Sequence, residues 1–192
     1  MSEVEARARA AIEAAHAADP EREDGRAAEA SYADHVEAWL PRLVEAPSLA
    51  LRLAGRGQHL ERWAIPRADF PEGRGGYLRW RSAVHQRQGE RIRELLAAAE
   101  CDGALTERVA QLVAKGAPQG DAEAQALEDA ACLVFLETEL PVFQQQHERD
   151  KVVDVLRKTW RKMSPRGQQL ALALSLPGEA RALVDSALAS KA

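Results

Sequence analysis

The chain contains only two cysteines, nine aromatic residues and no asparagine, and it has no sustained alternation of polar and apolar residues. Cys132 lies in the apolar run 130–136, so we expect it to be a buried, reduced thiol that forms no disulfide with Cys101. No uncharged stretch approaches the roughly 18 residues that span a bilayer. Residues 1–7 contain no apolar signal segment. We therefore expect a soluble, cytoplasmic protein with no membrane partner.

The overall charge excludes one broad class of function. The 192 residues include 26 basic and 30 acidic side chains, which gives a net charge of −4. A protein that coats nucleic acid along its whole surface needs an excess of positive charge, so only a local basic patch remains possible. The length fits a single domain over residues 1–192 that buries about 70% of the surface of its unfolded chain.

Apolar residues recur with helical spacing along most of the chain, and this pattern predicts an all-α fold, a single compact multi-helix bundle. Asp19-Pro20 ends the first helix, and Ser164-Pro165 combines a favoured N-cap with proline at the first helical position. Residues 64–76 contain several prolines and glycines, so we expect a shaped loop there. The predicted helices cover about 3–18, 28–45 with a kink at Pro41, 77–100, 104–115, 121–146 and 148–163. Three further helices are predicted to begin near 47–48, 164–165 and 177–179.

The most informative segment is 58–81, which combines five arginines with Trp63, Tyr77, Trp80 and His59. Amphipathic periodicity does not require this mixture. Guanidinium groups donate planar pairs of hydrogen bonds to phosphate or carboxylate, and aromatic rings supply flat walls. The segment thus predicts an anion site; the alternative is an ordered loop whose arginines pair with acidic residues of the protein. The predicted substrate-binding residues in this segment are Arg62, Trp63, Arg67, Arg74, Tyr77 and Arg81.

Two acidic residues precede the apolar part of the predicted helix 121–146. Helical spacing requires Glu128 or Asp129 to point into apolar surroundings, where a carboxylate needs a metal ion, an arginine or a histidine opposite it. His35, His59 and His85 lie on different predicted helices, with His35 on the inward side of the second, and a bundle can bring such side chains together. These histidines and Asp129 are the candidate ligands of a divalent metal (iron, manganese, cobalt or zinc). The alternatives are an arginine partner and ordinary core histidines. His16 and His147 are expected to be terminal or exposed.

The predicted helix 148–163 is basic and amphipathic, with Lys158 and Lys162 on its cationic face. A solvated surface is the simpler interpretation. If this helix borders segment 58–81, the two lysines add to an anion-binding wall.

Two family resemblances rest on these residues. The order His35, His59, His85, Asp129 resembles the ligand order of the HD-domain superfamily, which implies an HD-domain-like helical bundle that acts as a metal-dependent phosphohydrolase or a di-iron oxygenase. The adjacent His-Asp doublet of that superfamily is replaced here by Gln58-His59-Leu60. A second set of strings resembles the domain of unknown function 4202 over nearly the whole chain, and that family implies no established reaction. Its strings are 58–67, 76–81, 127–137 and 157–164.

The leading functional hypothesis is a metal-dependent hydrolase that acts on a phosphorylated or other anionic small molecule. Glu128 would orient the attacking water or accept its proton, while the arginines neutralise charge in the transition state. The alternatives are an iron-dependent oxygenase on the same scaffold and a non-catalytic module that binds RNA or a protein. The sequence contains no catalytic serine or cysteine motif, no Gly-rich phosphate loop and no zinc-type cysteine cluster.

Overall fold

A computed structural model describes residues 2–23 and 25–189, and it is 75% helical. The all-α prediction is confirmed; a two-stranded hairpin, β1 (Arg22–Glu23) and β2 (Arg26–Ala27), was not anticipated. No helix within the described residues is long and apolar enough to cross a membrane. The helices are α1 (Glu3–Ala17), α2 (Ala28–Leu43), α3 (Leu49–Arg56), α4 (Gly73–Ala98), α5 (Gly103–Val113), α6 (Ala122–Val134), α7 (Leu140–Gln146), α8 (Arg149–Lys162), α9 (Pro165–Leu172) and α10 (Gly178–Ala189).

Short polar side chains set the starts of several helices. Ser48 Oγ accepts a hydrogen bond from the Leu51 amide at 3.0 Å, and Asp102 Oδ1 accepts one from the Leu105 amide at 2.9 Å. The predicted start at Ser164 is confirmed, since its Oγ accepts from the Gly167 amide at 3.1 Å. Each such cap contributes about 1 kcal/mol by satisfying an amide that has no partner within the helix.

The helix predicted over 121–146 is continuous but changes its winding. A π-helical turn, Phe135–Glu139, joins α6 to α7, and Thr138 Oγ1 donates to the Val134 carbonyl at 2.9 Å. Pro141 follows in the first turn of α7 and has no amide hydrogen to continue the α-helical pattern. The wider turn before it allows the helix to run on past the proline.

The contacts of the chain group into two units, Met1–Leu127 and Glu128–Ala192, each with its own buried apolar residues. In the first unit these include Ile12, Val36, Leu53, Ile92 and Leu96. In the second they include Leu133, Leu136, Leu140, Leu156 and Leu183. The single domain over 1–192 stays a prediction.

Buried ion pairs hold the first unit together. The Arg56 side chain is only 1% exposed and pairs with Glu13, Asp34 and Glu37. His16 Nε2 lies 2.9 Å from the Arg56 carbonyl oxygen, so the expectation that His16 is exposed is wrong. Burial lowers the pKa of His16 and keeps its imidazole neutral. The buried Arg56 guanidinium is thus neutralised by acidic side chains of α1 and α2, so this cluster is a structural element of the first unit.

A surface-facing cluster fixes the start of α6. Asp121 accepts hydrogen bonds from the backbone amides of Glu123 and Ala124, each at 3.0 Å. The Arg108 guanidinium donates two hydrogen bonds of 2.8 Å to the same carboxylate. The hydrogen bonds from Arg108 and these amides lower the pKa of Asp121 to about 2. The aspartate therefore stays ionised at neutral pH, where it both caps α6 and joins it to α5.

Candidate functional site

The loop before α4 is shaped by its own backbone contacts. It contains two short 3-10 turns, Arg62–Ala64 and Arg67–Asp69. The Arg67 guanidinium donates to the carbonyls of Phe70 at 2.9 Å and Pro71 at 3.1 Å. Because these hydrogen bonds engage Arg67, its main contact is with the loop itself, and its role as a substrate-binding residue stays a prediction.

The start of α4 lies one turn earlier than the sequence suggested. The glycines of 73–76 favour a loop by composition, yet the helix begins at Gly73, whose φ of +81° suits glycine. A Cβ at Gly76 would lie 1.7 Å from the Pro71 carbonyl oxygen, so only glycine permits the loop to pass this close to the helix. The glycines therefore seat the loop against the first turn of α4.

Aromatic rings and arginines are layered at this end of α4. The Trp80 indole donates to the Ile65 carbonyl at 2.8 Å, which fixes the loop to the helix. The Arg62 guanidinium lies 5.1 Å from the Trp80 ring centroid, and that of Arg81 lies 5.9 Å from the Tyr77 ring. Tyr77 is 43% exposed, so its ring keeps an accessible surface beside Arg81. Trp63, the remaining predicted aromatic, is half-buried in the loop.

The arginines of α4 fall into two groups along the helix. Arg87 and Arg91 pair with Glu61 at 3.2 and 2.8 Å, and Arg93 pairs with Glu107 at 2.8 Å. Toward the N-terminal end of α4 the described arginines are no longer paired with acidic side chains. Within residues 2–23 and 25–189, no acidic side chain pairs with the predicted substrate residues Arg62, Arg74 and Arg81, or with Arg79. The interpretation that the loop arginines serve to pair with acids therefore does not hold for these side chains.

An open depression of about 420 Å³ lies between α4 and the end of α5. On α4, Arg74, Leu78, Arg81 and His85 share one helical face because they are spaced by three or four residues. Arg79, five residues after Arg74 and one after Leu78, projects from a different side of the helix. The depression is lined by Leu78, Arg81, Ser82, His85, Gln86, Ala114 and Lys115.

Close packing of α4 on α5 brings Lys115 to this depression. A Cβ at Gly89 would lie 2.8 Å from the Ala114 Cβ, so glycine is needed for the approach of the two helices. Lys115 follows α5 with φ of 56°, and the next amide, that of Gly116, donates back to the Gln111 carbonyl at 2.8 Å. Sequence analysis did not identify Lys115, although lysine before glycine at a helix end is a recognisable termination signal.

The predicted metal ligands do not form a metal centre in the part of the chain that the structure describes, which contains no group of three or more His, Cys, Asp or Glu arranged to hold a metal ion. His35 is exposed, because α2 buries Ala33, Val36 and Leu40 instead; the expectation that His35 faces inward is wrong. His85 lines the depression. Asp129 belongs to the second unit.

His59 has a specific environment that needs no metal. Its Nδ1 lies 3.0 Å from Glu29 Oε2, at the start of α2. Its ring stacks on Tyr32 with centroids 3.9 Å apart and planes 8° from parallel. Its backbone is left-handed, with φ of 60°. Sequence analysis did not anticipate the Glu29 and Tyr32 contacts, because Glu29 is 30 residues distant.

The acidic residues near the start of the second unit have polar and charged partners. Asp129 is buried, and its carboxylate accepts hydrogen bonds from the Ser164 amide at 2.8 Å and from the Ser164 hydroxyl. It thus holds the start of α9. Glu128 pairs with Lys162 at 3.2 Å, and Lys158 pairs with Asp154. The roles of Glu128, Lys158 and Lys162 in catalysis or substrate binding stay predictions.

Comparison with protein families identifies the family of the chain. The family model described as Domain of unknown function (DUF4202) matches residues 6–184. The chain belongs to this family. The HD-domain resemblance is not shown. Comparisons with curated proteins and with solved structures found no match.

Proposed function

We propose that this protein binds a phosphorylated or otherwise anionic small molecule at the N-terminal half of α4. One observation carries the proposal: Arg74 and Arg81 share a helical face, and neither has an acidic partner among the described residues, whereas Arg87, Arg91 and Arg93 of the same helix all do. Like charges repel, so arginines left without acids beside a depression favour an anionic ligand as their partner.

The shape and polarity of the depression support a small ligand. Its volume of about 420 Å³ falls within the range of roughly 300–1,000 Å³ typical of small-molecule sites. Arg81 and Lys115 line it together with the neutral donors and acceptors of Ser82 and Gln86. The exposed Tyr77 ring offers a flat apolar surface beside Arg81, suited to a ligand that carries both an anionic group and an apolar part.

Binding of an anion does not by itself make the protein an enzyme, so catalysis needs its own test. Hydrolysis of a bound phosphate ester is the reaction class we propose to test first. The described residues contain no group of three or more His, Cys, Asp or Glu that could hold a metal ion, and the binding proposal requires none. An iron-dependent oxygenase and an RNA- or protein-binding module remain the alternatives.

The binding test is isothermal titration calorimetry with phosphate, pyrophosphate, AMP and glucose 6-phosphate at constant ionic strength. We expect saturable binding that Arg81→Gln weakens by about 1.5–3 kcal/mol, the usual contribution of a hydrogen bond to a charged group. The matched control is Arg161→Gln, which removes the same charge from an exposed position on α8 and should leave affinity unchanged. Equal losses in both variants, or no saturable binding of any of the four anions, would refute the proposal.

Hydrolysis is measured in the same samples as phosphate release, with and without added iron, manganese, cobalt or zinc. Release that requires Arg81 supports a phosphohydrolase. Oxygen uptake would favour the oxygenase. Salt-sensitive binding of single-stranded RNA without binding of the small anions would favour the RNA-binding module.

A further inference from the structure

We propose that His59 is a proton-accepting residue, with Glu29 as its positioning residue, and that it acts on the O–H group of a bound water or of a hydroxyl-bearing ligand. This inference goes beyond anion binding and does not depend on it. It requires no metal, in contrast to the ligand role predicted for His59 from the sequence.

The Glu29 contact determines which nitrogen of His59 can accept a proton. An ionised carboxylate only accepts hydrogen bonds, so the 3.0 Å contact requires a hydrogen on Nδ1. In the neutral imidazole the free lone pair is then on Nε2. Within residues 2–23 and 25–189, no side chain or backbone group forms a hydrogen bond with Nε2. The His59 side chain is 28% exposed, so this nitrogen can be reached from solvent.

The orientation of the ring is fixed from a second side. Tyr32 stacks on the imidazole with nearly parallel planes, which restrains the plane of the ring, while the Glu29 contact sets which edge faces α2. Glu29 and Tyr32 lie one turn apart on α2, a rigid element, whereas His59 lies after α3. A short loop segment therefore presents the imidazole, and a helix holds it in place.

The backbone at His59 is strained, and the strain does not come from closing the end of a helix. Four non-glycine residues in the described chain have positive φ. Glu100 and Lys115 directly follow α4 and α5, where the left-handed conformation closes the last turn through hydrogen bonds from the next amide. His59 and Glu61, with φ of 60° and 48°, lie two residues apart in a loop.

Such conformations are unfavourable for residues that carry a Cβ, and they persist where surrounding contacts impose them, often at functional sites. Here the contacts are specific. The Glu61 carboxylate is held by Arg87 and Arg91, and the His59 ring by Glu29 and Tyr32. The fold thus stabilises this segment on both sides of Leu60, which is fully buried.

The chemical step is a proton transfer. The O–H bond of the bound water or hydroxyl breaks, its electron pair stays on the oxygen, and the proton forms the Nε2–H bond of an imidazolium. Glu29 stabilises that cation through Nδ1–H. The oxygen forms a bond to an electrophilic atom of the ligand, the bond from that atom to the leaving group breaks, and the leaving group takes that electron pair and the proton from Nε2. The step therefore needs no oxidant, reductant or metal.

Nuclear magnetic resonance of the full chain tests the orientation directly. Long-range ¹H–¹⁵N correlation identifies which imidazole nitrogen carries hydrogen in the neutral state. We expect the Nδ1–H tautomer for His59 in the unmodified protein and a shift toward Nε2–H in Glu29→Ala. The matched control, Glu23→Ala in the exposed hairpin, should leave the tautomer unchanged. An Nε2–H tautomer in the unmodified protein overturns the proposal, whether or not the variant folds.

Access to Nε2 is tested by carbethoxylation with diethyl pyrocarbonate, with each histidine followed by peptide mass spectrometry. We expect His59 to react at a rate comparable with that of the exposed His35, while the buried His16 stays unmodified in the folded protein. A histidine whose Nε2 is buried would be protected like His16. Protection of His59 under conditions that modify His35 would also overturn the proposal.

Discussion

Replacing Gly76 by alanine should destabilise the loop before α4, although alanine normally favours a helix. An alanine Cβ at this position would lie 1.7 Å from the Pro71 carbonyl oxygen, and real contacts of this kind are essentially never under 3.0 Å. Backbone must therefore move by roughly 1 Å or more, and overpacking of this kind costs about 1–3 kcal/mol. The Pro71 carbonyl also accepts a hydrogen bond from Arg67, so its displacement disturbs that contact too.

Gly75→Ala is the matched control for this prediction. A Cβ at Gly75 would have only the Arg79 guanidinium nearby, at 3.8 Å, so the substitution adds no clash. It should instead stabilise α4 by about 0.5–1 kcal/mol, the usual gain of alanine over glycine within a helix. Urea unfolding followed by tryptophan fluorescence measures both variants, because Trp63 and Trp80 lie at this loop. If Gly76→Ala were as stable as Gly75→Ala, the close approach of the loop to the helix would be refuted.

Two further changes test carboxylates with assigned structural roles. Asp129→Ala should lower the free energy of unfolding by about 1.5–3 kcal/mol per lost hydrogen bond to the charged group, because it leaves the amide and hydroxyl of Ser164 without that acceptor. Asp154→Asn, which removes an exposed ion pair, should lower it much less, and equal losses in urea unfolding would contradict the assigned role. Asp121→Asn should destabilise the protein at pH 7, because the folded state lowers the pKa of Asp121 to about 2. The lowered pKa stabilises the fold above the unfolded value of 3.8, so the two proteins should converge in thermal midpoint as the pH falls from about 4 toward 2; a difference that is constant with pH would contradict the ion pair with Arg108.

Local sequence patterns predicted most of the helices because the signals that start and end helices act over a few residues. Ser164-Pro165 starts α9 as expected, and apolar spacing identified the buried residues of α6. The start of α4 was missed because Gly73, Gly75 and Gly76 favour a loop by composition. Gly76 admits the Pro71 carbonyl against the helix, a contact that periodicity does not encode.

The candidate site was predictable in composition but not in arrangement. The arginines and aromatic residues of 58–81 were identified from their density. The acidic partners of the later α4 arginines were not, because Glu61 lies 26 and 30 residues from Arg87 and Arg91, and Glu107 lies 14 residues from Arg93. The metal prediction assumed that His35 faced inward, but the apolar residues Ala33, Val36 and Leu40 of α2 form the buried face instead. Asp129 needed a partner, and the structure provides one 35 residues along the chain, at Ser164.

The uneven distribution of charge on α4 has a consequence for how quickly an anion can reach the protein. The chain carries a net charge of −4, while Arg74, Arg79 and Arg81 near the start of α4, with Arg62 of the preceding loop over Trp80, would attract anions at this end of the helix. At physiological ionic strength the Debye length is about 8 Å, so this attraction acts only close to the start of α4. Electrostatic steering there would raise the association rate constant, and added salt would lower it far more than it changes dissociation. For the proposed anionic ligand, the direction of approach would thereby be set before any contact forms.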